Sequence, residues 1–452
     1  MTLTATSTDA PRRTPSPASV TATTATAIAV ADMIGIGVFT SLGFQVQTIQ
    51  SGFSLIMLWV VGGIVALCGA LSYAELGAAF QRSGGEYNFL ARLYHPAIGF
   101  MAGWLSATVG FAAPIALAAM AFGSYFNGAI PGAPALILSL GITWLIALVH
   151  LSGINHSSVF HNATTILKVV LIVAFITLGL TFGTAQPLSF TPSASDFSII
   201  TGAPFAISLV FVMYAYSGWN ASTYIIGEMH DPKRSVPRSL ITATLIVLVL
   251  YVALNAVFLY TTPMTAMAGK IDIALIAGTH IFGDAGGRIV SGLICVGLIS
   301  ALSAMTWIGS RVTMVMGEDL AVLRIFATKT QKGVPAAAIW LQLAIVTVLL
   351  LTQSFEDVLN FTLFSLTLSS FVTVLGVIIA RYTMPDLERP YRTWGYPLTP
   401  IVFLSVTGFM MYYLMVEKPV QSLAGLGVMF AGLVIYWISS KFETPAKHKK
   451  DA

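Results

Sequence analysis

Charged residues are scarce in this sequence. Lys, Arg, Asp and Glu make up 9% of its 452 residues, whereas an ordinary globular protein has about 25%. The hydrophobic residue types make up 56% of the chain, and the mean hydropathy is +0.84. So few charges cannot cover a surface that faces water. The composition therefore excludes a soluble globular protein and predicts an integral membrane protein.

Several functional patterns are also missing. The two cysteines, Cys68 and Cys295, both lie in apolar runs, which indicates buried thiols rather than a disulfide or a metal site. The net charge is +4 and the basic residues are scattered, so no stripe for nucleic acid exists. We find no metal-binding His/Glu pair, catalytic triad or phosphate-binding loop, and we therefore expect neither an enzyme nor a cofactor. No repeated filter-like segment favours a channel.

Long apolar runs fill most of the chain. A helix needs around 20 apolar residues to cross the hydrocarbon layer, and such runs alternate here with turns rich in Gly, Pro, Asp and Arg. The sequence thus predicts an all-α protein with twelve transmembrane helices. We expect residues 1–19, rich in Thr, Ser and Pro, to form a disordered tail, and residues 441–452 to form a second tail. The predicted spans are 20–44, 54–80, 96–127, 134–152, 161–183, 201–227, 237–261, 285–316, 336–352, 356–381, 396–416 and 423–440.

The distribution of Lys and Arg predicts the orientation. With these spans, eighteen of the 22 basic residues fall on the side of the N-terminus, three fall on the opposite side and Lys168 lies within the fifth span. Cytoplasmic segments carry the excess of positive charge. We therefore expect both termini in the cytoplasm and the protein in the cell membrane, with a bacterial inner membrane as the expected location.

Two predicted spans contain helix-breaking segments. In span one, Gly35 and Gly37 follow Asp32 near the middle of the apolar run, and span six carries Ser217 and Gly218 between Tyr214 and Asn220. Breaks in corresponding helices of two halves are typical of a transporter binding site, where helix N-termini face anions and free carbonyls face cations. The alternative is that the small residues only permit close helix packing.

The residues around these breaks resemble the amino acid–polyamine–organocation superfamily of transporters, especially its L-type and cationic amino acid transporter branches. The similar segments are 34–39 (IGIGVF), 73–77 (YAELG), 82–87 (RSGGEY) and 214–238, which begins YAYSGWN and ends DPKRSVPR. The resemblance implies a LeuT-like fold with helices 1 and 6 broken, inverted repeats at 20–183 and 201–381, and two further helices at 396–440. This chain departs from the pattern at Ile36, where a small Ser is usual, and at Gln81, which replaces a Pro.

The resemblance also implies a substrate site. The family's carboxylate site corresponds to the backbone of Ile36 and Gly37, with Gly35 permitting the turn. Tyr214 and Tyr216 are candidates for aromatic gating or stacking, and Asn220 follows as a hydrogen-bonding side chain. The ammonium site corresponds to the carbonyls of Met33, Tyr214, Ala215 and Ser217.

Two charges are predicted inside apolar spans. Lys168 resembles a fifth-helix lysine that in many family members stands where related carriers bind sodium, which implies contact with carbonyls of Ala31 and Ile34 and proximity to Ser300 and Ser303. Loss of water disfavours a charged lysine, so Lys168 could release and take up a proton; a permanently charged Lys168 would favour exchange, and snorkelling to the membrane surface is the structural alternative. Asp32 could pair with Lys168, attract a cationic substrate, carry a proton or cap the broken helix.

These features predict a secondary active transporter of amino acids that works by alternating access, with proton symport or exchange. A carrier of polyamines or other organocations and an obligate amino acid exchanger are the alternatives. Neutral amino acids are the first choice of substrate and cationic ones the second. The expected partners are the amino acid, protons and the lipid bilayer, and nucleic acid is not expected; the sequence does not identify which protein partners the chain has.

Overall fold

The computed structural model of the protein describes residues 20–153 and 158–442, without the side chains of 158–164, 321 and 441–442. The predicted tail 1–19, and the predicted tail 441–452 from residue 443 onward, lie outside the described residues. Helices account for 80% of the residues that the structure describes, and no strand occurs among them beyond one isolated backbone bridge. The all-α prediction is therefore confirmed.

The first half of the described chain contains nine helices. These are α1 (Ala22–Met33), α2 (Gly37–Thr48), α3 (Gly52–Ala79), α4 (Glu86–Leu93), α5 (Pro96–Leu105), α6 (Ala112–Ala129), α7 (Ala135–Leu151), α8 (Ser158–Phe182) and α9 (Ala194–Ile200). A π-helical turn, Ser106–Gly110, joins α5 to α6.

The second half continues with α10 (Ala203–Ala215), α11 (Pro232–Thr261), α12 (Met264–Met267), α13 (Ile273–Asp319), α14 (Ala336–Leu351), α15 (Phe355–Thr383), α16 (Leu398–Glu417) and α17 (Pro419–Phe442). Three 3₁₀ segments lie between them, at Ala221–Tyr224, Ile226–Glu228 and Ala321–Ala327.

Most of these helices are long and apolar enough to cross a membrane. Among the described residues nine helical segments qualify by length and composition, or ten if α9 and α10, which meet at 64°, form one bent span. The shorter helices α7 and α14 are apolar as well. The chain is therefore a multi-pass membrane protein, and each predicted span overlaps one of these helices.

Spans six and eight differ from the predicted boundaries. The predicted span 201–227 leaves the α-helical conformation after Ala215, because Gly218 adopts a positive φ of 96° and only short 3₁₀ turns follow. Helix α13 begins at Ile273 rather than at residue 285, but Gly283 bends it with φ 73°. The predicted eighth span thus corresponds to the part of α13 after this bend.

The segments before α1 and after the second break are joined by their backbones. The Val20 N–H donates to the carbonyl of Glu228 at 3.1 Å, and the His230 N–H donates to the carbonyl of Val20 at 2.9 Å. Within the same region, the Ser222 hydroxyl donates to the Ala25 carbonyl in α1. The first half of span one is therefore attached to the segment that follows the break in span six.

Candidate functional site

The break in span one separates two helix ends. Helix α1 ends at Met33, α2 begins at Gly37, and Ile34–Ile36 lie between them outside the helices. The first N–H groups of a helix have no partner within the helix, and they carry partial positive charge. Among the described residues no hydrogen bond satisfies the N–H groups of Ile36 and Gly37. This helix start can therefore receive an anion.

Gly37 also allows the two broken spans to touch. A Cβ atom at Gly37 would lie 2.5 Å from the Cα atom of Ala215, the last residue of α10. At Gly35 the same atom would meet nothing closer than 3.9 Å. The structural need for glycine in span one thus lies at Gly37, whereas the sequence-based interpretation assigned the turn to Gly35.

The break in span six places Gly218 beside Asp32. Its φ of 96° is a conformation that side-chain-bearing residues rarely adopt, and a Cβ atom there would lie 2.6 Å from the Asp32 Oδ2 atom. Asp32 itself is half-buried in the last turn of α1. The two breaks therefore face each other, with the carboxylate between them.

A cleft lies between the two breaks. Its empty volume is about 310 Å³, but little of that space is wide enough for a water-sized sphere, so a substrate requires some movement of the walls. Most of the predicted substrate residues line it. The lining consists of Asp32, Met33, Gly35, Ile36, Gly37, Ala118, Tyr214, Ala215, Ser217, Ala301 and Met305.

Two predicted substrate residues lie elsewhere. Tyr216 is fully buried, and its hydroxyl donates to the Trp59 carbonyl of α3 at 3.1 Å. The Asn220 amide donates to the Glu86 carboxylate at 3.3 Å. Neither residue lines the cleft described above.

The cleft also contains residues that sequence analysis missed. Ala118 of α6 and Ala301 and Met305 of α13 form the wall opposite the breaks, and no local pattern distinguishes them from other apolar residues. Tyr251 of α11 donates from its hydroxyl to the Met33 carbonyl, one of the groups assigned to the substrate ammonium. The Gly35 N–H also donates to this carbonyl, at 2.7 Å. Tyr251 thus holds the backbone at the first break.

The structure brings Lys168 to the first half of span one. Its side chain is buried, and its ammonium donates to the Ala31 carbonyl at 3.4 Å. The aliphatic part packs on α13, where a Cβ atom at Gly297 would lie 3.3 Å from the Lys168 Cγ atom. Ile34 is buried at the break, but in the described part of the chain its carbonyl accepts no hydrogen bond from Lys168. This placement agrees with the predicted contact to Ala31.

The two predicted serines lie further along the same helix. Ser300 and Ser303 are both buried on α13, and Ser300 lies about one turn beyond Gly297. The Ser303 hydroxyl and carbonyl lie 3.2 and 3.1 Å from the Nε2 atom of His150, at the end of α7. Polar groups therefore continue along α13 from the level of Lys168 toward His150.

Two buried carboxylates stabilise the end of the bundle where α3 terminates. Glu75 contacts Arg381 at 2.7 Å and Arg389 at 3.2 Å, and it accepts hydrogen bonds from the Thr393 backbone and hydroxyl. We call these four residues the Glu75 cluster. These ion pairs join α3 to α15 and to the loop that follows.

Glu86, at the start of α4, has no cation beside it among the described side chains, but it accepts hydrogen bonds from four other residues. The donors are Tyr73, Asn220, Tyr224 and Ser370, at 2.7, 3.3, 3.0 and 3.2 Å. We call these five residues the Glu86 cluster. It connects the segment after the second break to α3, α4 and α15, and sequence analysis found only its motif, not its partners.

No metal-binding group stands out near these residues. Among the side chains that the structure describes, no three His, Cys, Asp or Glu residues could hold a metal ion together. Cys68 and Cys295 are buried, free thiols. The polar groups at the cleft are helix ends, backbone carbonyls and one carboxylate.

A site built from two opposed helix breaks is the arrangement expected of a transporter, and comparison with known proteins decides the family. The amino acid permease family model matches residues 21–439. The chain belongs to the amino acid permease family. This permease is an amino acid transporter of the amino acid–polyamine–organocation superfamily, as its motifs predicted, and is not an enzyme.

Individual relatives are similar over most of their length. The permease is 26% identical over 418 residues to b(0,+)-type amino acid transporter 1 of Mus musculus, covering 90% of this chain and 84% of that protein. It is 25% identical over 414 residues to the serine/threonine exchanger SteT of Bacillus subtilis (strain 168), covering 90% and 93%. It is 27% identical over 423 residues to the cystine/glutamate transporter of Homo sapiens, covering 90% and 82%.

Proposed function

We propose that this permease carries neutral amino acids across the cell membrane by alternating access around the cleft. The main support for this proposal is the pair of opposed helix ends at Gly37 and Ala215. The start of α2 at Gly37 can receive a carboxylate, and the end of α10 at Ala215 can receive an ammonium group. The cleft wall formed by Ala118, Ala301 and Met305 is apolar, which favours substrates with uncharged side chains.

The proposed architecture is LeuT-like, with twelve spans and both termini in the cytoplasm. Ten candidate spans, with α9 and α10 counted as one, plus the apolar helices α7 and α14 support twelve within the described chain. The two breaks lie five spans apart in that order, which supports inverted repeats at 20–183 and 201–381 followed by the helices of 396–440. The excess of basic residues on one side supports the orientation.

Lys168 is the proposed coupling residue. A charge inside a membrane span costs about 2.5–3.5 kcal/mol, and Lys168 is buried with its ammonium on the Ala31 carbonyl. A lysine in this position can hold span one while it is protonated and release it when the proton leaves. Proton symport follows if that cycle occurs; exchange, the activity named for SteT, follows if Lys168 remains charged.

The test is uptake of a panel of labelled amino acids into proteoliposomes, with and without an imposed pH gradient. We expect accumulation that depends on the gradient in the wild type, and that Lys168→Ala loses this dependence. Lys329→Ala, at a lysine with 47% side-chain exposure, is the matched control. Failure of active wild-type protein to accumulate or exchange any amino acid contradicts the proposed function. Exchange that does not depend on the pH gradient contradicts proton symport but not amino acid transport. A strict requirement for sodium contradicts the role of Lys168 as the coupling residue.

A carrier of polyamines or other organocations is the second candidate, because the half-buried Asp32 lines the cleft. A substrate without a carboxylate would use Asp32 but not the start of α2. Uptake of a labelled diamine, with no uptake of amino acids, would favour this candidate over the first.

A further inference from the structure

Asp32 is the one acidic residue among those that line the cleft, and it lacks a hydrogen-bonding partner there. Among the described residues, its carboxylate accepts no hydrogen bond and forms no ion pair, although it lies in contact with Gly218. Lys168 acts on it electrostatically from a greater distance, while the Lys168 ammonium donates to the Ala31 carbonyl instead. The Asp32 carboxylate is thus available to a group that enters the cleft.

The position of Asp32 on α1 strengthens this argument. It lies in the last turn of the helix, where the helix dipole presents partial negative charge. A carboxylate is unfavourable at that end, and a buried or half-buried charge needs a counter-ion. The start of α2, a few residues further on, has the opposite polarity. One side of the cleft therefore attracts a cation and the other attracts an anion.

We propose that the Asp32 carboxylate binds the α-ammonium group of the transported amino acid directly, while the substrate carboxylate binds the N–H groups of Ile36 and Gly37. This inference rests on the proposed amino acid transport. It assigns Asp32 to substrate recognition rather than to ion coupling. The full negative charge of Asp32 then selects for a positively charged primary amine. Backbone carbonyls such as those of Tyr214 and Ala215 accept further hydrogen bonds from the same ammonium group.

Substrate analogues separate the two ends of the site. An amino acid methyl ester and the corresponding decarboxylated amine keep the ammonium group, and each loses the carboxylate. The N-acetyl derivative keeps the carboxylate and loses the positive charge. We expect the ester and the amine to compete for the wild-type site, each more weakly than the parent amino acid, and the N-acetyl derivative not to compete.

The experiment measures competition against the labelled amino acid that the wild type takes up best, in proteoliposomes that contain the full chain. We expect Asp32→Asn to lower the affinity for the parent amino acid at least tenfold. We also expect it to abolish the preference for the ester over the N-acetyl derivative. Asp32→Glu should restore part of that preference. Asp386→Asn, at an exposed residue in the loop after α15, should leave the order of analogues unchanged.

Two results would contradict the role of Asp32 but leave the proposal of amino acid transport unaffected. One is a folded Asp32→Asn protein that keeps wild-type affinity and the wild-type order of analogues. The other needs no variant: wild-type competition by the N-acetyl derivative as strong as that by the ester. Absence of any amino acid uptake by active wild-type protein would instead overturn the proposed function, and this inference with it.

Discussion

The cleft and the Glu75 cluster each hold a carboxylate inside the protein, but they surround it differently. Glu75 is neutralised by Arg381 and Arg389 and accepts two hydrogen bonds from Thr393. Asp32 lines the narrow cleft without such partners in the described chain. A buried charge that already has its partners fixes neighbouring elements, whereas one without them is costly until a ligand arrives. The stabilising ion pairs and the proposed binding of substrate thus involve different carboxylates.

The largest expected effect tests the stabilising side of this comparison. Replacement Glu75→Gln leaves the Arg381 and Arg389 charges without a counter-ion, and breaking a buried ion pair in this way costs about 3–5 kcal/mol. Unfolding of the purified protein in detergent measures the loss. The control Glu388→Gln breaks a pair with Lys233 whose side chains are 78% and 41% exposed, which should cost about 0–1 kcal/mol. Equal losses in the two variants would show that the Glu75 cluster does not hold the bundle together.

The next effect tests the contact between the two broken spans. Replacement Gly37→Ala places a methyl group 2.5 Å from the Ala215 Cα atom, and overpacking of this kind costs about 1–3 kcal/mol. Because the strain falls on the cleft itself, we expect amino acid uptake to fall at least tenfold. The control is Gly292→Ala, where a Cβ atom meets nothing within 4 Å. Uptake by the Gly37 variant equal to that of the control would contradict the close approach of the breaks.

A smaller effect tests whether Tyr251 orients the first break. Replacement Tyr251→Phe removes the hydroxyl that donates to the Met33 carbonyl, a net loss of about 0.5–1.5 kcal/mol. We expect substrate affinity to weaken by about two- to tenfold, the same energy expressed as a ratio. The matched variant Tyr216→Phe removes a hydroxyl that donates to Trp59 outside the cleft. The Tyr216→Phe variant should lose a similar amount of stability, but its affinity for substrate should not change. Equal substrate affinities in the two variants would exclude a positioning role for Tyr251.

The smallest effect concerns Glu86, a buried carboxylate with neutral partners. Its helix α4 is eight residues long and is not a candidate span. Burial raises the pKa of Glu86 above its ordinary value of 4.5, although hydrogen bonds from Tyr73 and Tyr224 oppose the shift. The folded state therefore binds this proton more tightly than the unfolded state, so the contribution to stability is present below pH 4.5 and is lost as the pH rises through the raised pKa. Unfolding curves over pH should show this loss in the wild type and not in Glu86→Gln; identical curves would contradict it.

Hydropathy and local breakers predicted much of this molecule. Apolar runs located every long helix, because a membrane span is defined by its own composition. Gly35, Gly37 and the segment Tyr214–Asn220 located both breaks, because glycine and small polar residues weaken a helix wherever they occur. The sequence did not predict that α13 begins at Ile273, before the bend at Gly283. The residues around Gly283 resemble a turn between two apolar stretches, and the predicted eighth span therefore began only at residue 285.

The remaining features depend on contacts between distant parts of the chain. The Tyr251 hydroxyl reaches Met33 across 218 positions, and the four donors to Glu86 come from three separate parts of the chain. Which of two nearby glycines touches Ala215 is likewise decided by helix packing rather than by the local sequence. Ala118 and Ala301 belong to the cleft wall for the same reason.

The backbone bridge between Val20 and Met229 reduces the number of parts that can move independently. Its two hydrogen bonds fasten the segment before α1 to the segment after the second break, and the contact of Asp32 with Gly218 joins the same two segments at the cleft. Because they are in contact at both ends, α1 and the segment after the second break are expected to move as one rigid unit. A tether or neighbouring molecule that pulls on the chain before Val20 would therefore displace α1 and the segment after the second break together.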